Sequence, residues 1–253
     1  MGDASERSMG DALLSISGLH AYHGQAHVLM GVDLEIGREP LSLVGRNGMG
    51  KTTLCNALMG LVPRAEGRVR FGGVEILGER PDRIARLGIG YVPQGRRIFP
   101  SLTVEEHLQM MAERGGAPGA GWTRERVHAL FPRLLDRRRV LAGALSGGEQ
   151  QALAIARALM IGPRFLILDE ISEGLAPLVV EQLVEALRSL SQEGIGMLVV
   201  EQRLAVAAAL SRRLAVMVGG RIALETTSAA MMASAEDQQR YLGVKGRRGQ
   251  RAR

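Results

Sequence analysis

The most distinctive chemistry in this sequence belongs to a glycine-rich segment that follows a short aliphatic run, Leu41–Val44. The segment reads Gly45-Arg46-Asn47-Gly48-Met49-Gly50-Lys51-Thr52-Thr53. Glycine lets backbone N–H groups approach phosphate oxygens closely, because no side chain intervenes and unusual backbone angles are open to it. Lys51 offers a positive charge to the β- and γ-phosphates of a nucleotide, and the Thr52 hydroxyl is a ligand for Mg²⁺. The spacing therefore predicts a phosphate-binding P-loop (Gly45–Thr53) between a strand and a helix.

Two adjacent acids, Asp169 and Glu170, follow a second aliphatic run, Phe165–Leu168. A buried strand would deliver Asp169 to the carboxyl edge of a sheet, where it can hold Mg²⁺ directly or through water. Glu170 can accept a proton from an attacking water. Strands often end in acids, so the pair alone is a weak signal. Together with the P-loop it predicts nucleotide hydrolysis, because nucleotides bind at this edge of parallel sheets.

A third segment reads Leu145-Ser146-Gly147-Gly148-Glu149-Gln150-Gln151 and precedes a predicted helix, Ala152–Met160. Its hydroxyl and N–H groups suit an anion, although taken alone the segment is only a good helix cap. With the P-loop before it and the Asp-Glu pair after it, it resembles the signature sequence of the ABC ATPases. We call it the signature segment (Leu145–Gln151). Matching positions extend from about Leu13 to Gly243.

The resemblance implies an α/β fold: a P-loop NTPase core with a mainly parallel sheet, an antiparallel β-subdomain and an inserted helical lobe. It also implies ATP and Mg²⁺ as ligands, with ATP held between two subunits arranged head to tail. Ser146, Gly147 and Gly148 would then contact the γ-phosphate that the opposite subunit binds. Tyr22 resembles the aromatic residue that stacks on adenine. Gln94 resembles the glutamine that touches Mg²⁺ and the attacking water.

Three positions depart from the family pattern. Gln202 stands where most members have a histidine that contacts the γ-phosphate, and glutamine can donate a hydrogen bond but cannot become a cation. Ala176 replaces an aspartate in the segment that resembles the loop crossing the dimer interface, which we call the dimer loop (Ser172–Pro177). Ile171 replaces a proline. Because Gln202 replaces the histidine, we expect Glu170 to be the proton acceptor.

The expected site residues fall into three groups. Glu170, Gln94 and Gln202 are the catalytic candidates, and Thr52, Gln94 and Asp169 are the candidates for holding the metal. The candidates for binding the nucleotide are Tyr22, Gly45, Asn47, Gly48, Gly50, Lys51, Thr52, Thr53, Ser146, Gly147 and Gly148.

Within the family, the forms Glu201-Gln202 and Gly174-Leu175-Ala176-Pro177 resemble the ATP-binding subunits of branched-chain amino-acid importers. Urea-importer ATPases look similar around Gly45–Gly48, so they remain an alternative. A soluble ABC ATPase is a further alternative, disfavoured by the single cassette. The resemblance implies a second ABC ATPase as partner, in a heterodimer within the complex, with a homodimer as the alternative for the isolated chain. It also implies transmembrane permease subunits, an indirect role for a periplasmic binding protein, and a place at the cytoplasmic face of the inner membrane.

The composition fits a packed domain, with 46% hydrophobic and 23% charged residues. Five of the six net positive charges come from the last ten residues. The rest of the chain is therefore near neutral, which argues against nucleic acid as a partner. Cys55 is the only cysteine, so no internal disulfide can form. No apolar run is long enough to predict a membrane span.

The pattern of apolar runs divides the chain into expected parts. We expect tails at 1–11 and 244–253, an ATPase core at 12–94 and 146–243, and a helical lobe at 95–145. Predicted elements are further buried strands, an antiparallel sheet, two lobe helices and a hairpin turning at Gly219-Gly220. Their ranges are Phe165–Leu168 and Met197–Val200 for the strands, Leu13–Ile36 and Arg68–Leu77 for the sheet, Val104–Arg114 and Thr123–Leu135 for the helices, and Leu214–Leu224 for the hairpin.

Overall fold

The computed structural model describes residues 12–114 and 121–243. The two predicted tails lie outside these residues, as do residues 115–120 of the predicted helical lobe. The strands are β1 (Leu14–His23), β2 (Ala26–Ile36), β3 (Leu41–Val44), β4 (Arg64–Phe71), β5 (Val74–Glu75), β6 (Ile89–Val92), β7 (Phe165–Asp169), β8 (Gly196–Glu201), β9 (Arg213–Val218) and β10 (Arg221–Thr227). The α-helices are α1 (Lys51–Leu58), α2 (Pro81–Arg86), α3 (Val104–Arg114), α4 (Arg124–Leu130), α5 (Pro132–Asp136), α6 (Gly147–Leu159), α7 (Pro177–Gln192), α8 (Leu204–Leu210), α9 (Ser228–Ala233) and α10 (Ala235–Asp237).

The larger sheet has six strands in the order β10-β9-β3-β8-β7-β6. All neighbours are parallel except the β9–β10 hairpin, whose turn at Gly219-Gly220 is where the sequence predicted it. The three central strands β3, β8 and β7 are buried along their whole length. Continuous aliphatic runs are typical of strands covered on both faces, and this prediction is confirmed.

The smaller sheet is antiparallel, in the order β2-β1-β4-β5, and it confirms the predicted β-subdomain. Its inner face shares one apolar core with α1 and one face of the larger sheet. In this core the rings of Phe71 and Phe165 meet edge to face with their centroids 6.0 Å apart. The shared core fixes β1 beside the P-loop, and this determines which β1 side chains can reach the nucleotide.

Helices α3, α4 and α5 lie between β6 and β7 in the chain, as expected for an inserted lobe. The prediction of one helix over Thr123–Leu135 was wrong, because the segment forms two helices, α4 and α5. Phe131 interrupts it with φ −126° and ψ 74°. A residue before proline is pushed out of the helical region by the proline ring, and Pro132 starts the second helix.

Helix α6 begins inside the signature segment, at Gly147, five residues before the predicted start at Ala152. Glycine is a poor helix former, which is why the pattern alone placed the start later. A capping box offsets this cost: the Ser146 hydroxyl accepts from the Glu149 N–H, and the Glu149 carboxylate accepts from the Ser146 N–H. The signature glycines therefore form the first turn of α6.

Among the described residues, no helix is both long and apolar enough to cross a bilayer.

Candidate nucleotide site

The P-loop connects β3 to α1 and lines a cavity of about 270 Å³. Gly50 caps α1 with φ +104°, a conformation that disfavours any residue with a Cβ atom. A Cβ atom on Gly45 would lie 2.6 Å from the carbonyl oxygen of Met217, so a side chain has no room there. The cavity is lined by Val28, Asn47, Gly48, Gly50, Lys51, Thr52, Thr53, Gln94, Glu170, Glu173 and Gln202.

The ammonium group of Lys51 lies at the inner wall of this loop. Its Nζ atom donates to the carbonyl oxygens of Gly45 at 2.9 Å and Arg46 at 3.2 Å. The Oε1 atom of Glu170 lies 3.4 Å from the same nitrogen, and both side chains are almost completely buried. This places one positive charge between the loop and Glu170, the acid that directly follows β7.

Glu170 accepts hydrogen bonds from both glutamines that the sequence marked as catalytic. Gln202 Nε2 lies 2.8 and 2.7 Å from the two carboxylate oxygens, and Gln94 Nε2 lies 3.0 Å from Oε2. The backbone of Glu170 has φ +50°, and its N–H donates to Val200 O at 2.8 Å. Left-handed angles are unfavourable for a residue with a Cβ atom, so the surrounding contacts must hold Glu170 in place.

Asp169 lies beside Thr52 and Lys51 and has no exposed surface. Neither of its carboxylate oxygens has a hydrogen-bond partner. Burial raises the pKa of Asp169 to about 6, and the neighbouring Thr52 hydroxyl only partly offsets this effect. A buried, unpaired carboxylate next to a hydroxyl suits a cation, and oxygen ligands are those that Mg²⁺ prefers.

A Mg²⁺ ion at this position would need ligands beyond the protein. Among the described residues, no group of three or more histidines, cysteines, aspartates or glutamates gathers to hold a metal. Mg²⁺ is usually held by one or two carboxylates together with substrate phosphates and water. The residues present therefore fit Mg²⁺ bound with a nucleotide.

The turn after Glu170 is held by a second buried acid, Glu201. Its carboxylate accepts from the Ser172 N–H at 3.0 Å and from the Ser172 hydroxyl at 2.8 Å. Burial raises the pKa of Glu201, and the hydrogen bonds from Ser172 lower it only in part. Ile171, which lies between Glu170 and Ser172 in the chain, is 2% exposed and packs into the main apolar core. Nothing else in the structure explains why isoleucine stands where the family pattern has proline.

Tyr22 is not among the residues that line the cavity. Its ring stacks on His27 at 4.5 Å between centroids, and the guanidinium of Arg64 lies 4.4 Å from the Tyr22 ring centre. Successive side chains of a strand point to opposite faces, so His23 lies on the P-loop side instead. His23 Nε2 is 3.5 Å from the Thr53 hydroxyl. Residue type alone pointed to the tyrosine, whereas the position of the strand favours the histidine.

Glu173 is a second site residue that the sequence did not mark individually. Its Oε2 atom accepts from Gln94 Nε2 at 2.9 Å, so the amide of Gln94 joins Glu170 to the dimer loop. The signal available in the sequence was only its place three residues after Glu170. Nothing in that spacing specifies a contact with Gln94, which lies on a distant loop.

The signature residues Ser146, Gly147 and Gly148 do not line the P-loop cavity of their own chain. Ser146 and Gly148 instead border a larger, mostly apolar groove of about 560 Å³ between α4, α5 and α7. The structure therefore brings together the P-loop residues, Gln94, Glu170 and Gln202, and holds the signature segment apart from them.

Comparisons with known proteins identify the family of the chain. Residues 29–173 match the family described as "ABC transporter". The high-affinity branched-chain amino acid transport ATP-binding protein BraG of Pseudomonas aeruginosa is 40% identical over 232 residues, covering 91% of this chain and 100% of BraG. The probable branched-chain amino acid transport ATP-binding protein LivF of Archaeoglobus fulgidus is 32% identical, covering 89% and 97%.

A solved structure gives the same result for the fold. The crystal structure of the ADP conformation of an ATP-binding cassette from an ABC transporter superposes with a TM-score of 0.79 at 26% identity. The match covers 92% of this chain and 97% of that one.

Proposed function

The chain belongs to the ABC transporter family of ATP-binding proteins, and we propose that it drives an importer for branched-chain amino acids. Members of this family hydrolyse ATP, and this chain is an ATPase of that kind. The observation that carries the proposed site is the Glu170 carboxylate, held by Gln94 and Gln202 within reach of Lys51. The urea-importer alternative is not favoured, because the two relatives above are named for branched-chain amino acids.

The proposed chemistry follows from the residues around the cavity. N–H groups of the P-loop and the ammonium of Lys51 bind the phosphates. Thr52 and Asp169 would hold Mg²⁺, which supplies positive charge to the phosphate oxygens when bound. Glu170 accepts the proton of the attacking water, and the two glutamine amides fix the direction of its carboxylate. Lys51 is the one basic side chain among the lining residues. Gln202 adds no second positive charge, because glutamine cannot become a cation.

The proposed assembly pairs two ATPase subunits head to tail. The signature segment of each would face the P-loop of the other, which is consistent with the distance between these two regions within one chain. Permease subunits at the cytoplasmic face of the inner membrane would bind the pair, and a periplasmic binding protein would deliver the solute. We further propose that residues 95–145 form a lobe that turns against the core at 12–94 and 146–243.

The variant Glu170→Gln tests the assignment of the base. It removes the proton acceptor and keeps the shape, so turnover should fall by roughly 10²–10⁴-fold while nucleotide binding persists. Steady-state ATPase assays and titration with a fluorescent ATP analogue measure the two properties separately. Glu236→Gln is the matched control, because Glu236 is exposed and does not line the cavity. Normal turnover in Glu170→Gln would remove Glu170 from this role.

The solute is tested in vesicles that contain the permeases, this ATPase and the cognate binding protein. ATP inside the vesicles should drive uptake of labelled leucine or valine and not of labelled urea. Vesicles with Lys51→Ala should take up neither, because the P-loop then lacks its phosphate-binding ammonium. Uptake of urea alone would overturn the proposed solute and leave the ATPase assignment intact.

A further inference from the structure

Arg96 lies just after Gln94 and packs directly on the first turn of α6. A Cβ atom on Gly147 would lie 3.0 Å from Nη2 of Arg96, so the guanidinium occupies the space that a side chain there would fill. Nη1 donates to Gln150 Oε1 at 3.1 Å. The other end of the Gln150 amide donates to Ala142 O at 3.2 Å. The guanidinium is therefore held at the signature segment by a side chain that is itself fixed.

This position is electrostatically unfavourable unless an anion is near. The N-terminus of a helix carries partial positive charge, so it favours anions and disfavours cations. Among the described residues, no carboxylate pairs with Arg96. The acid in the first turn, Glu149, is engaged by the Ser146 N–H and lies 3.7 Å from Arg137. The guanidinium and the positive end of α6 thus meet at Gly147, and in the part of the chain that the structure describes no carboxylate forms an ion pair with Arg96.

The backbone that carries Arg96 is also strained. Gly95, Arg96 and Arg97 have φ values of +80°, +64° and +42° in succession. Such angles are uncommon for residues with a Cβ atom, and they persist where the surrounding structure requires them. Here the consequence of the turn is that Arg96 reaches Gly147, while Arg97 stays exposed.

The side chains around the P-loop cavity include more acids than bases. Its lining includes Lys51 as the basic side chain and Glu170 and Glu173 as acids, with Asp169 buried beside it. The phosphates of ATP would add more negative charge to this site. Gln202 supplies no compensating cation, since an amide cannot take up a proton at neutral pH. Lys51 and the Mg²⁺ proposed at Thr52 and Asp169 supply positive charge on the P-loop side, whereas the cationic contact that most family members make from the position of Gln202 is absent.

We propose that Arg96 of one subunit contacts the terminal phosphate of the ATP held in the P-loop of the second subunit. The proposal rests on the two-subunit arrangement given under the proposed function. Water attacks the γ-phosphorus, its proton passes to Glu170, and the bond to the β–γ bridging oxygen breaks to release ADP and phosphate. The planar guanidinium of Arg96 binds two non-bridging oxygens of the transferred group and stabilises their charge. It takes the place of the cationic contact that Gln202 cannot make.

Single variants give the first test. Arg96→Ala should lower kcat by roughly 10²-fold, the usual effect of removing one donor to a transition-state oxygen. ATP binding to the isolated chain should be unchanged, because Arg96 belongs to the other subunit's site. Arg96→Lys should recover part of the activity, since it keeps the charge but not the two-pronged geometry. Arg97→Ala, the matched control, removes the same charge from the neighbouring exposed residue and should keep the wild-type rate.

A mixing experiment decides whether Arg96 acts across the interface. Lys51→Ala disables the P-loop of its own chain but leaves Arg96 in place, so each variant alone should be nearly inactive. In a mixed pair, the intact P-loop of the Arg96→Ala chain faces the intact Arg96 of the Lys51→Ala chain. The mixture should therefore hydrolyse ATP well above the sum of the two variants measured separately. A role confined to one chain gives no such recovery.

The controls separate this inference from the function on which it rests. A wild-type rate that rises more steeply than the chain concentration shows that hydrolysis requires pairing, and loss of turnover in Glu170→Gln shows the assigned base. If these hold while Arg96→Ala keeps its rate, or the mixture shows no recovery, the proposal for Arg96 is overturned. An equal loss in Arg97→Ala also overturns it, because the effect would then come from charge in general. If the wild-type rate shows no need for pairing and Glu170→Gln keeps its turnover, the proposed function itself is wrong.

Discussion

The Glu170 carboxylate accepts hydrogen bonds from two amides, and neither amide titrates at any ordinary pH. Glutamine therefore directs the carboxylate without competing with it for a proton. Lys51 Nζ lies 3.4 Å from Oε1 of the same carboxylate. The direction of this carboxylate therefore depends on residues from three separate segments of the chain.

Replacing the two candidate base-stacking residues one at a time decides between them. His23→Ala should weaken ATP binding by roughly tenfold or more, because one lost stacking contact is worth about 1–3 kcal/mol. Tyr22→Ala should change it much less, since that ring already stacks on His27. Titrations with ATP and with triphosphate alone separate stacking on the base from contact with the phosphates. A larger loss in Tyr22→Ala would restore the tyrosine as the adenine contact.

At the scale of elements, the loop from Gln94 to α3 is anchored by a buried histidine. His107 Nε2 accepts from the Phe99 N–H at 3.0 Å, and Nδ1 donates to Thr103 O at 2.8 Å. This pattern requires the neutral imidazole with its proton on Nδ1. Burial lowers the pKa of His107, although its bond to the Thr103 carbonyl acts in the opposite direction. The anchor fixes the segment that carries both Gln94 and Arg96.

This anchor makes stability depend on pH with a definite sign. The unfolded histidine takes up a proton near pH 6.5, whereas the folded one resists until a lower pH. The unfolded state then binds more protons, so the contribution is complete above about pH 6.5 and is lost as the pH falls toward the folded pKa. His107→Leu should remove this dependence and cost roughly 1–3 kcal/mol at neutral pH, because the Phe99 N–H loses its acceptor.

Urea denaturation at several pH values between 7.5 and 5 measures both effects. His23→Gln serves as the control, since His23 is exposed and its loss should leave the pH dependence of unfolding intact. A His107→Leu protein with the same pH profile as the wild type would show that another group causes it.

The sequence predicted those elements whose residue pattern has one structural explanation. Buried strands such as β7 are continuous aliphatic runs, and the P-loop spacing fixes the strand before it and the helix after it. Element ends were predicted less well, because they depend on single residues: Pro132 divides a helix, and the Ser146–Glu149 capping box extends one. Propensity sums over a window do not contain such local hydrogen bonds.

Contacts between distant loops could not be predicted from the sequence. Gln94 meets Glu173, and Arg96 meets Gly147, only because β6 and β7 end, and α6 begins, at the same side of the sheet. Which face of β1 points to the P-loop also depends on how the two sheets share a core, so residue type alone favoured Tyr22 over His23. Spacing predicted the P-loop and the Asp169-Glu170 pair, and the family resemblance predicted Gln94 and Gln202, but the contacts between them required the fold.

At the scale of the whole molecule, the first turn of α7 carries an exposed apolar residue where a second subunit would pack. Leu178 is 64% exposed and directly follows the dimer loop. Leu178→Asp should weaken ATP-dependent pairing by roughly 10²-fold or more, because an unpaired carboxylate would lose its hydration in the interface. ATP binding to the single chain should persist, because Leu178 does not line the P-loop cavity.

Sedimentation of the Glu170→Gln protein with and without ATP provides the measurement, because slow hydrolysis lets the pair accumulate. Leu61→Asp introduces the same charge at a leucine that is 52% exposed in the connection between α1 and β4. Pairing should survive that change, since the proposed interface contains the dimer loop and the signature segment and not this connection. If Leu178→Asp pairs as well as its Leu61→Asp control, the two chains do not meet across the dimer loop, and the head-to-tail arrangement would have to be abandoned.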